Sequence, residues 1–223
     1  MTEPRGLFIA FEGTEGCGKT SQMTLLVERL RELRYRVVEN QEPGGTRIGK
    51  QIRRILLDPA HQELAPMTEL LLMFASRAQA AAEIILPALA RGEIVVSDRF
   101  SDSSLAYQGH ARGLGLDTVR HAHQLALGSL WPDLTVWIGV DVEAGLARAR
   151  RRLRSADGAR ESRLDLHSLE FHQRVSEGYR TIAEAEAHRV RVVDGSGTRE
   201  QVAERVWAVV SPLLARVEQP AAR

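Results

Sequence analysis

The chain has 223 residues, enough for one sizeable α/β core and short for two full domains. Its 30 Lys and Arg residues balance 29 Asp and Glu residues, so we expect neither nucleic acid nor a membrane as a partner. The single cysteine, Cys17, excludes an internal disulfide framework and favours a reducing, cytoplasmic compartment. We also expect no membrane-spanning segment, because no uninterrupted apolar run approaches the roughly 20 residues required.

Short apolar runs of β character recur along the chain, each bounded by turn residues. They predict strands at 7–12, 35–40, 93–98, 134–140 and 189–194. Residues with helical periodicity predict helices at 19–34, 46–57, 67–91, 142–153, 167–187 and 199–217. Strands that alternate with helices predict a five-stranded parallel sheet with helices on both faces, in one domain that spans residues 1–223.

Two details of the helical segments lead to further expectations. Pro87 is expected to kink or restart the alanine-rich helix at 67–91, because proline lacks a backbone N–H. His121 and His123 are two residues apart, so they point to different sides of a helix, and we expect both at the surface.

A phosphate-binding loop is predicted between the first strand and the first helix. The segment matches G-x-x-x-x-G-K-[ST] in the required strand–loop–helix context; its residues are Gly13, Thr14, Glu15, Gly16, Cys17, Gly18, Lys19 and Thr20. Backbone N–H groups and the helix N-terminus would hold the phosphates of ATP. Lys19 would reach the β- and γ-phosphates, and the Thr20 hydroxyl would bind Mg²⁺.

Two members of this loop allow more than one interpretation. The Glu15 carboxylate stands beside a site for phosphate, where it either meets a hydroxyl or cation of a ligand or faces solvent. Cys17 is explained either as a small residue tolerated at a variable position or as a redox-active thiol.

The third predicted strand ends in Asp98 and Arg99. Ligands of an open parallel sheet gather beyond the carboxyl ends of its strands, so both side chains should face the phosphate-binding loop. Asp98 can hold the Mg²⁺ shell and Arg99 can clamp a phosphate, although a strand-end ion pair would use the same residues.

Several segments together resemble the bacterial thymidylate kinases. They are FEGTEGCGKT (11–20), EPGGT (42–46), LLLMFASRAQ (70–79), DRFSDSSLAYQG (98–109), PDLTVWIGVDVEAGLARAR (132–150) and SRLDLHSLEFHQRVSEGY (162–179). They occur in the family's order and span nearly the whole chain. The block at 98–109 is far more specific than the phosphate-binding loop, which many other kinases share.

The resemblance implies a binding site for dTMP. In it, Arg99 and Arg53 bind the phosphate, Arg77 bonds the thymine ring, and Ser104 and Gln108 hold the base edge. Tyr107 crowds the ribose 2′ position, and Glu15 faces the 3′ side of the sugar. The resemblance also implies a homodimer that packs through the long helix at 67–91.

The aromatic residue that stacks on thymine in related kinases stands four positions before the base-binding arginine, where this chain has Met73. We expect Phe74, one position later, to supply the ring, with Met73 as the alternative. The chain also departs from the family at Gln41, where arginine is common, and at Ser162, where an acid is common.

Residues 147–163 carry seven arginines and two acids. By composition the segment is either a solvated loop or a lid over a charged ligand. Some thymidylate kinases carry a catalytic arginine in the phosphate-binding loop, and others carry it in the lid. This loop has no arginine between Gly13 and Lys19, so the resemblance implies that a lid at about 151–165 supplies the catalytic cation. The candidates are Arg148, Arg150, Arg152 and Arg163.

These features predict a kinase that transfers the γ-phosphoryl group of ATP to dTMP with Mg²⁺, giving dTDP and ADP. The expected catalytic residues are Glu15, Lys19, Arg99, Arg150, Arg152 and Arg163. Alternatives are a kinase for another acceptor, such as dCMP, UMP or a sugar, and a non-catalytic ATP-binding module.

Overall fold

The computed structural model describes residues 6–155, 163–164 and 167–217, without the side chains of 152–155. Its strands are β1 (Phe8–Glu12), β2 (Val37–Gln41), β3 (Ile94–Asp98), β4 (Leu134–Gly139) and β5 (Val190–Asp194). They form one sheet in the order β2-β3-β1-β4-β5, and every neighbouring pair is parallel. The predicted five-stranded parallel sheet is confirmed, with only β2 shifted toward the C-terminus of its predicted range.

The helices are α1 (Lys19–Glu32), α2 (Arg47–Leu57), α3 (Pro66–Ala90), α4 (Ser101–Ser104), α5 (Leu116–Leu127), α6 (Val142–Ser155), α7 (Leu169–Ala185) and α8 (Arg199–Val210). A π turn, Leu105–Ala111, continues α4, and a 3₁₀ turn, Ser211–Arg216, continues α8. Side-chain caps fix the start of three helices: Thr46 caps α2, Ser168 caps α7, and Thr198 forms a capping box with Gln201 at α8.

The long helix restarts near Pro87, as predicted. A π turn at Ala81–Ile85 interrupts the α-helical hydrogen-bond pattern of α3, which resumes at Leu86–Ala90 with Pro87 in its first turn. The wider turn shifts the hydrogen-bond register next to a residue that has no N–H to donate.

By length and composition alone, α3 is long and apolar enough to cross a membrane, contrary to the expectation from sequence. One side of the helix is packed into the fold, and the Glu69 and Arg77 side chains are buried on it. This arrangement is typical of the core helix of a soluble protein.

Helices cover both faces of the sheet because alternate residues of β1 point to opposite sides. Ile9 and Phe11 pack in a cluster with residues of α1 and α8. Phe8 and Ala10 pack on the other face, against the second half of α3. A further cluster joins the first half of α3 with α5, α7 and the π turn Leu105–Ala111.

The surface position expected for His123 is wrong, whereas His121 is exposed as expected. The His123 side chain is buried, and its ring stacks on Trp131 with 3.8 Å between ring centroids. Its Nδ1 atom lies 2.8 Å from the Ser101 hydroxyl. Helix α5 therefore turns one of its two histidines into the core.

Strands β1 and β3 are neighbours, and the chain leaves them in opposite directions, since β1 leads to β2 on one side and β3 leads to β4 on the other. A crevice opens beyond the carboxyl ends of the strands at such a switch point. The predicted phosphate-binding loop follows β1, and Asp98 and Arg99 follow β3, at this edge of the sheet.

Candidate active site

A cavity of about 790 Å³ lies at this edge of the sheet. The phosphate-binding loop forms one end, and residues of α3 and the π turn after α4 form the other. Its wall includes Glu15, Gly16, Cys17, Gly18, Lys19, Thr20, Gln41, Glu42, Arg53, Arg54, Met73, Arg77, Asp98, Arg99, Ser103, Ser104, Tyr107, Gln108 and Leu164. The structure thus brings most of the predicted site residues into one space.

The phosphate-binding loop is shaped by its glycines. Gly18 adopts a left-handed conformation, with φ 96°, directly before α1 begins at Lys19. The Lys19 ammonium lies over the loop and donates to the carbonyl oxygens of Gly13, at 3.1 Å, and Thr14, at 3.4 Å. Cys17 is buried, with its Sγ atom 3.8 Å from Lys19 Nζ. The loop therefore offers backbone N–H groups and one ammonium to an anion.

Close backbone contact joins this loop to α6. A Cβ atom on Gly16 would lie 1.9 Å from the carbonyl oxygen of Gly145, and a Cβ atom on Gly145 would lie 2.7 Å from that of Glu15. Only glycine fits at either position without a shift of the backbone. The helix that leads into the arginine-rich segment is thus packed directly on the phosphate-binding loop.

Two oxygen donors meet beside this loop. The Thr20 hydroxyl lies 3.5 Å from Asp98 Oδ2, and both residues line the cavity. Hydroxyl and carboxylate oxygens are the ligands that Mg²⁺ prefers, so this pair fits the predicted metal position.

Arg99 reaches the centre of the cavity from a strained backbone. Its φ angle is 71°, which is uncommon for a residue other than glycine. Its Nη2 atom donates to Glu15 Oε1 at 3.0 Å, and its Nη1 atom donates to the hydroxyls of Tyr179, at 3.1 Å, and Ser103, at 3.2 Å. Strain of this kind clusters at functional sites, where surrounding contacts hold it.

Glu15 is partly buried and bonded on both carboxylate oxygens. The Tyr107 hydroxyl donates to Oε2 at 2.7 Å, and His172 Nδ1 lies 3.5 Å from the same atom. Burial alone would raise the pKa of Glu15, but the Arg99 charge and the bonds from His172 and Tyr107 lower it well below its usual range. Glu15 is therefore an ionised acceptor in the cavity, and the solvent-facing alternative is excluded.

Glu12 was not predicted as a site residue from the sequence. It bonds the Ser103 and Tyr179 hydroxyls, which in turn accept hydrogen bonds from Arg99. This fully buried carboxylate accepts hydrogen bonds from the backbone N–H groups of Phe100 and Ser103, at 2.8 and 3.1 Å. It also accepts from the hydroxyls of Tyr179, at 2.7 Å, and Ser103, at 2.5 Å. Burial raises the pKa of Glu12, although the Arg99 charge and these hydroxyl bonds oppose that effect. The sequence offered one signal for Glu12, because it is an acid at the end of a buried strand, directly before the phosphate-binding loop.

Arg77 reaches the far end of the cavity from α3. Its Nε atom donates to Glu42 Oε2 at 2.5 Å, and its Nη1 atom donates to the Ser104 hydroxyl at 3.0 Å. Burial raises the pKa of the Glu42 carboxyl to about 7, despite the neighbouring Arg77 charge. These contacts fix the guanidinium plane, so Arg77 and Ser104 present donors at one place on the wall.

The structure does not place Phe74 on the cavity wall. Met73 lines the cavity instead. Phe74 is buried in the apolar cluster of α3 and α7, and its ring lies 4.8 Å from the guanidinium carbon of Arg77. The expectation that Phe74 supplies the ring is corrected: helix α3 turns Phe74 behind Arg77, and Met73 faces the cavity.

Arg53 and Gln41 also lie on the wall. The Arg53 Nη1 atom donates to the carbonyl oxygen of Pro43 at 2.7 Å, which directs the side chain into the cavity. Arg54, which the sequence interpretation did not select, lines the cavity as well.

The arginines of the predicted lid have different positions. Arg150 is exposed on α6, and the side chain of Arg152 is not described. Arg163 is buried: its Nη2 atom lies 2.5 Å from Glu69 Oε2, and its Nε atom donates to the carbonyl oxygen of Leu56 at 3.0 Å. Arg163 is not among the residues that line the cavity. Residues 156–162 and 165–166 of the predicted lid lie outside the described residues.

Comparisons with known proteins agree with this geometry. The family model described as thymidylate kinase matches residues 11–206. A thymidylate kinase of Pelobacter propionicus is 53% identical over 205 residues, which cover 92% of this chain and 94% of the relative. One of Synechococcus sp. (strain JA-2-3B'a(2-13)) is 47% identical, covering 93% of this chain and 96% of the relative. Another, of Geobacter sp. (strain M21), is 50% identical, covering 88% and 87% respectively. The chain therefore belongs to the thymidylate kinase family.

Proposed function

We propose that this protein is an ATP-dependent kinase that phosphorylates dTMP to dTDP. The observation that carries the proposal is the single cavity that joins the phosphate-binding loop, Arg99 and the Arg77–Ser104 pair. A donor phosphate at one end and a nucleotide base at the other would place the acceptor phosphate between them, at Arg99. Membership of the thymidylate kinase family supports the same reaction.

The donor end consists of the loop at 13–20. Its backbone N–H groups and Lys19 would bind the phosphates of ATP. Thr20 and Asp98 would hold Mg²⁺, which when bound would neutralise charge on the β- and γ-phosphates. We assign Cys17 as a small residue of the loop, because its side chain is buried beside Lys19.

The acceptor end uses residues on both sides of Arg99. Arg99 and Arg53 would bind the phosphate of dTMP, since a guanidinium forms two parallel bonds with phosphate oxygens. Glu15 would accept a hydrogen bond from the sugar hydroxyl, with Tyr107 beside it on the ribose. Further along, the residues proposed to contact the base are Met73, Arg77, Ser104 and Gln108.

The chemistry requires no general base, because the acceptor phosphate is already anionic near neutral pH. One of its oxygens attacks the γ-phosphorus, a new P–O bond forms, and the bond to the β,γ-bridging oxygen breaks to release ADP. The protein contributes position and positive charge at the transferred group. Lys19 and Arg99, which both line the cavity, would supply two of these charges.

We assign the third charge to the arginine-rich segment of the predicted lid. Arg150 and Arg152, on the helix packed against the phosphate-binding loop, remain the proposed catalytic arginines. The buried ion pair between Arg163 and Glu69 favours an anchoring role for Arg163 instead. Closure over ATP would exclude water, which limits hydrolysis.

We further propose a cytoplasmic homodimer that binds neither nucleic acid nor a membrane. The exposed side of α3 carries Met67, Leu71 and Leu86, and Leu125 on the adjacent α5 is 90% exposed. Apolar side chains that cluster on one surface favour association with a second copy.

The proposal is tested by ADP release from Mg-ATP with the purified protein and a panel of monophosphates. We expect dTMP to be the preferred acceptor, and we expect Arg99→Ala to lower kcat/KM for dTMP by about 30- to 1,000-fold, since a buried charged contact is lost. A higher rate of ADP release with dCMP or UMP than with dTMP would identify another monophosphate as the acceptor. Full activity of Arg99→Ala, or ADP release that needs no acceptor, would rule out the site as described.

A further inference from the structure

A buried carboxylate lies behind the base end of the cavity, on α3. Glu69 is fully buried and accepts four hydrogen bonds on its two oxygens. Oε1 accepts from Gln108 Nε2 at 2.7 Å and from Arg112 Nε at 2.9 Å. Oε2 accepts from Arg112 Nη2 at 2.8 Å and from Arg163 Nη2 at 2.5 Å.

Glu69 does not line the cavity, so it has no direct contact with a ligand there. Burial would raise the pKa of Glu69, but the hydrogen bonds from Arg112, Gln108 and Arg163 lower it. An ionised carboxylate can only accept hydrogen bonds. Every group that touches Glu69 must therefore turn a donor toward it.

This requirement fixes the side-chain amide of Gln108. An amide has one donor end and one acceptor end, and the donor end, Nε2, must face Glu69. The acceptor end, Oε1, forms no hydrogen bond within the part of the chain that the structure describes. Gln108 lines the cavity, so its carbonyl oxygen is the end left for a ligand.

We propose that Glu69 is a positioning residue that sets base selectivity by holding the Gln108 carbonyl toward the acceptor base. This inference rests on the proposed function, because it requires a nucleotide base at this end of the cavity. A carbonyl acceptor matches a base whose ring nitrogen carries hydrogen, as in thymine and uracil. It opposes cytosine, whose ring nitrogen at that position is itself an acceptor.

Glu69→Gln tests the inference with little change in shape. The new amide offers a single acceptor oxygen to the donors of Arg112, Arg163 and Gln108, and its NH₂ group meets one of them. The arginines cannot turn an acceptor toward that group, whereas the Gln108 amide can rotate. We expect the KM for dTMP to rise about 5- to 30-fold, with the KM for ATP changed less than twofold.

A double-mutant cycle separates positioning from general loosening of the fold. Gln108→Met keeps the side-chain length but removes both ends of the amide. In that background, Glu69→Gln should change the KM for dTMP by less than twofold, because the group through which Glu69 acts is gone. Glu69→Asp keeps the negative charge but shortens its reach to Gln108, which bonds Oε1. It should give the same pattern if Glu69→Gln does not fold.

Glu186→Gln is the matched control. Glu186 also bonds two arginines, Arg120 at 2.7 Å and Arg189 at 2.5 Å, but it lies away from the cavity wall. We expect a wild-type KM for dTMP in this variant. The inference is overturned if the Glu69 variants keep a wild-type KM, if their effect persists in full with Gln108→Met, or if the KM for ATP rises equally. Failure of the wild-type protein to phosphorylate dTMP would instead reject the proposed function.

Discussion

The charged residues of the cavity are held by protein partners before any ligand is required. Arg99 is the clearest case, because four side chains contact its guanidinium: Glu15, Ser103, Tyr107 and Tyr179. A left-handed backbone conformation costs a residue with a Cβ atom about 1–2 kcal/mol. The hydrogen bonds to Arg99 offset that cost and set the direction of its side chain. Arg99 is thus preorganised for the phosphate that we propose it binds, and such preorganisation is the main source of catalysis available to a kinase.

The positions of Met73 and Phe74 lead to a prediction about which of the two side chains contacts the base of dTMP. Met73→Ala should raise the KM for dTMP about 3- to 10-fold with little loss of stability, because Met73 is on the cavity wall. Phe74→Leu should leave that KM within about twofold, since the ring is buried behind Arg77. It should instead lower the free energy of unfolding by about 1 kcal/mol, in line with other changes of shape in a core.

Steady-state kinetics with dTMP and urea unfolding of both variants provide the comparison. The two variants serve as controls for each other, because they alter adjacent residues of one helix. A large rise in KM for Phe74→Leu, with none for Met73→Ala, would place the aromatic ring on the base after all.

At the scale of elements, the contact between Gly16 and Gly145 links the phosphate-binding loop to α6. Helix α6 continues into the arginine-rich segment, so this backbone contact connects that segment to the loop. The glycine at 145 lies in the interior of a helix, where glycine is unfavourable by about 0.5–1 kcal/mol relative to alanine. Its presence there is explained by the close approach of the Glu15 carbonyl.

Gly145→Ala therefore has two opposing effects, and the structure indicates which is larger. Alanine favours the helix, but its Cβ atom would lie 2.7 Å from the Glu15 carbonyl oxygen and displace the loop. We expect the KM for ATP to rise about tenfold and stability to fall by about 1–2 kcal/mol, as in overpacked cores. Gly139→Ala is the control: its nearest neighbour would lie at 3.7 Å, and both quantities should stay close to wild type. Equal behaviour of the two variants in ATP titrations and urea unfolding would contradict this assignment.

The strands and the phosphate-binding loop could be predicted from sequence because their signals are local. A strand such as FIAFE (8–12) is apolar on both faces, and the glycine pattern that follows it has a fixed spacing. The sheet and its carboxyl edge then place Asp98 and Arg99 near the loop without further information. The role of Phe74 could not be settled in this way, because a rotation of α3 by one residue decides between it and Met73.

Residues whose partners lie far away in the chain could not be recognised from a local sequence pattern. Glu12 and Glu69 each bond to groups 39 or more positions away in the chain, Ser103 and Gln108 among them. A buried acid in an apolar helix or strand identifies a partner somewhere, but only the packed structure shows which one. His123 was missed for the same reason, since Trp131 and Ser101 approach it from other elements.

For the molecule as a whole, His123 predicts how stability depends on pH. Burial, reinforced by the nearby charges of Arg77, Arg189 and Arg120 and opposed by Asp102, lowers the pKa of His123 to about 4. The unfolded chain binds this proton below its ordinary pKa of about 6.5. Between these values the unfolded state holds more protons, so stability falls as the pH falls. Above about pH 6.5 His123 is neutral in both states and costs no stability. The loss of stability accumulates as the pH falls toward 4.

His123→Phe should remove that part of the pH dependence while it keeps a ring against Trp131. The free energy of unfolding of the wild-type protein should fall between pH 7 and pH 5 by about 2 kcal/mol more than that of the variant. His121→Phe, at an exposed position of the same helix, should retain the wild-type pH dependence. Urea unfolding at both pH values measures the three slopes, and identical slopes would show that His123 is not the responsible group.

Assembly is the other whole-molecule property open to test. The proposed dimer surface includes Leu71, which is 56% exposed on the side of α3 away from the base site. A glutamate in a buried interface carries an unpaired charge, so Leu71→Glu should convert the dimer to a monomer in size-exclusion chromatography with light scattering. Val192→Glu is matched in exposure, at 56%, but lies on the edge strand β5, and it should leave the dimer intact. Loss of the dimer with Val192→Glu and its retention with Leu71→Glu would move the interface from α3 to the edge of the sheet.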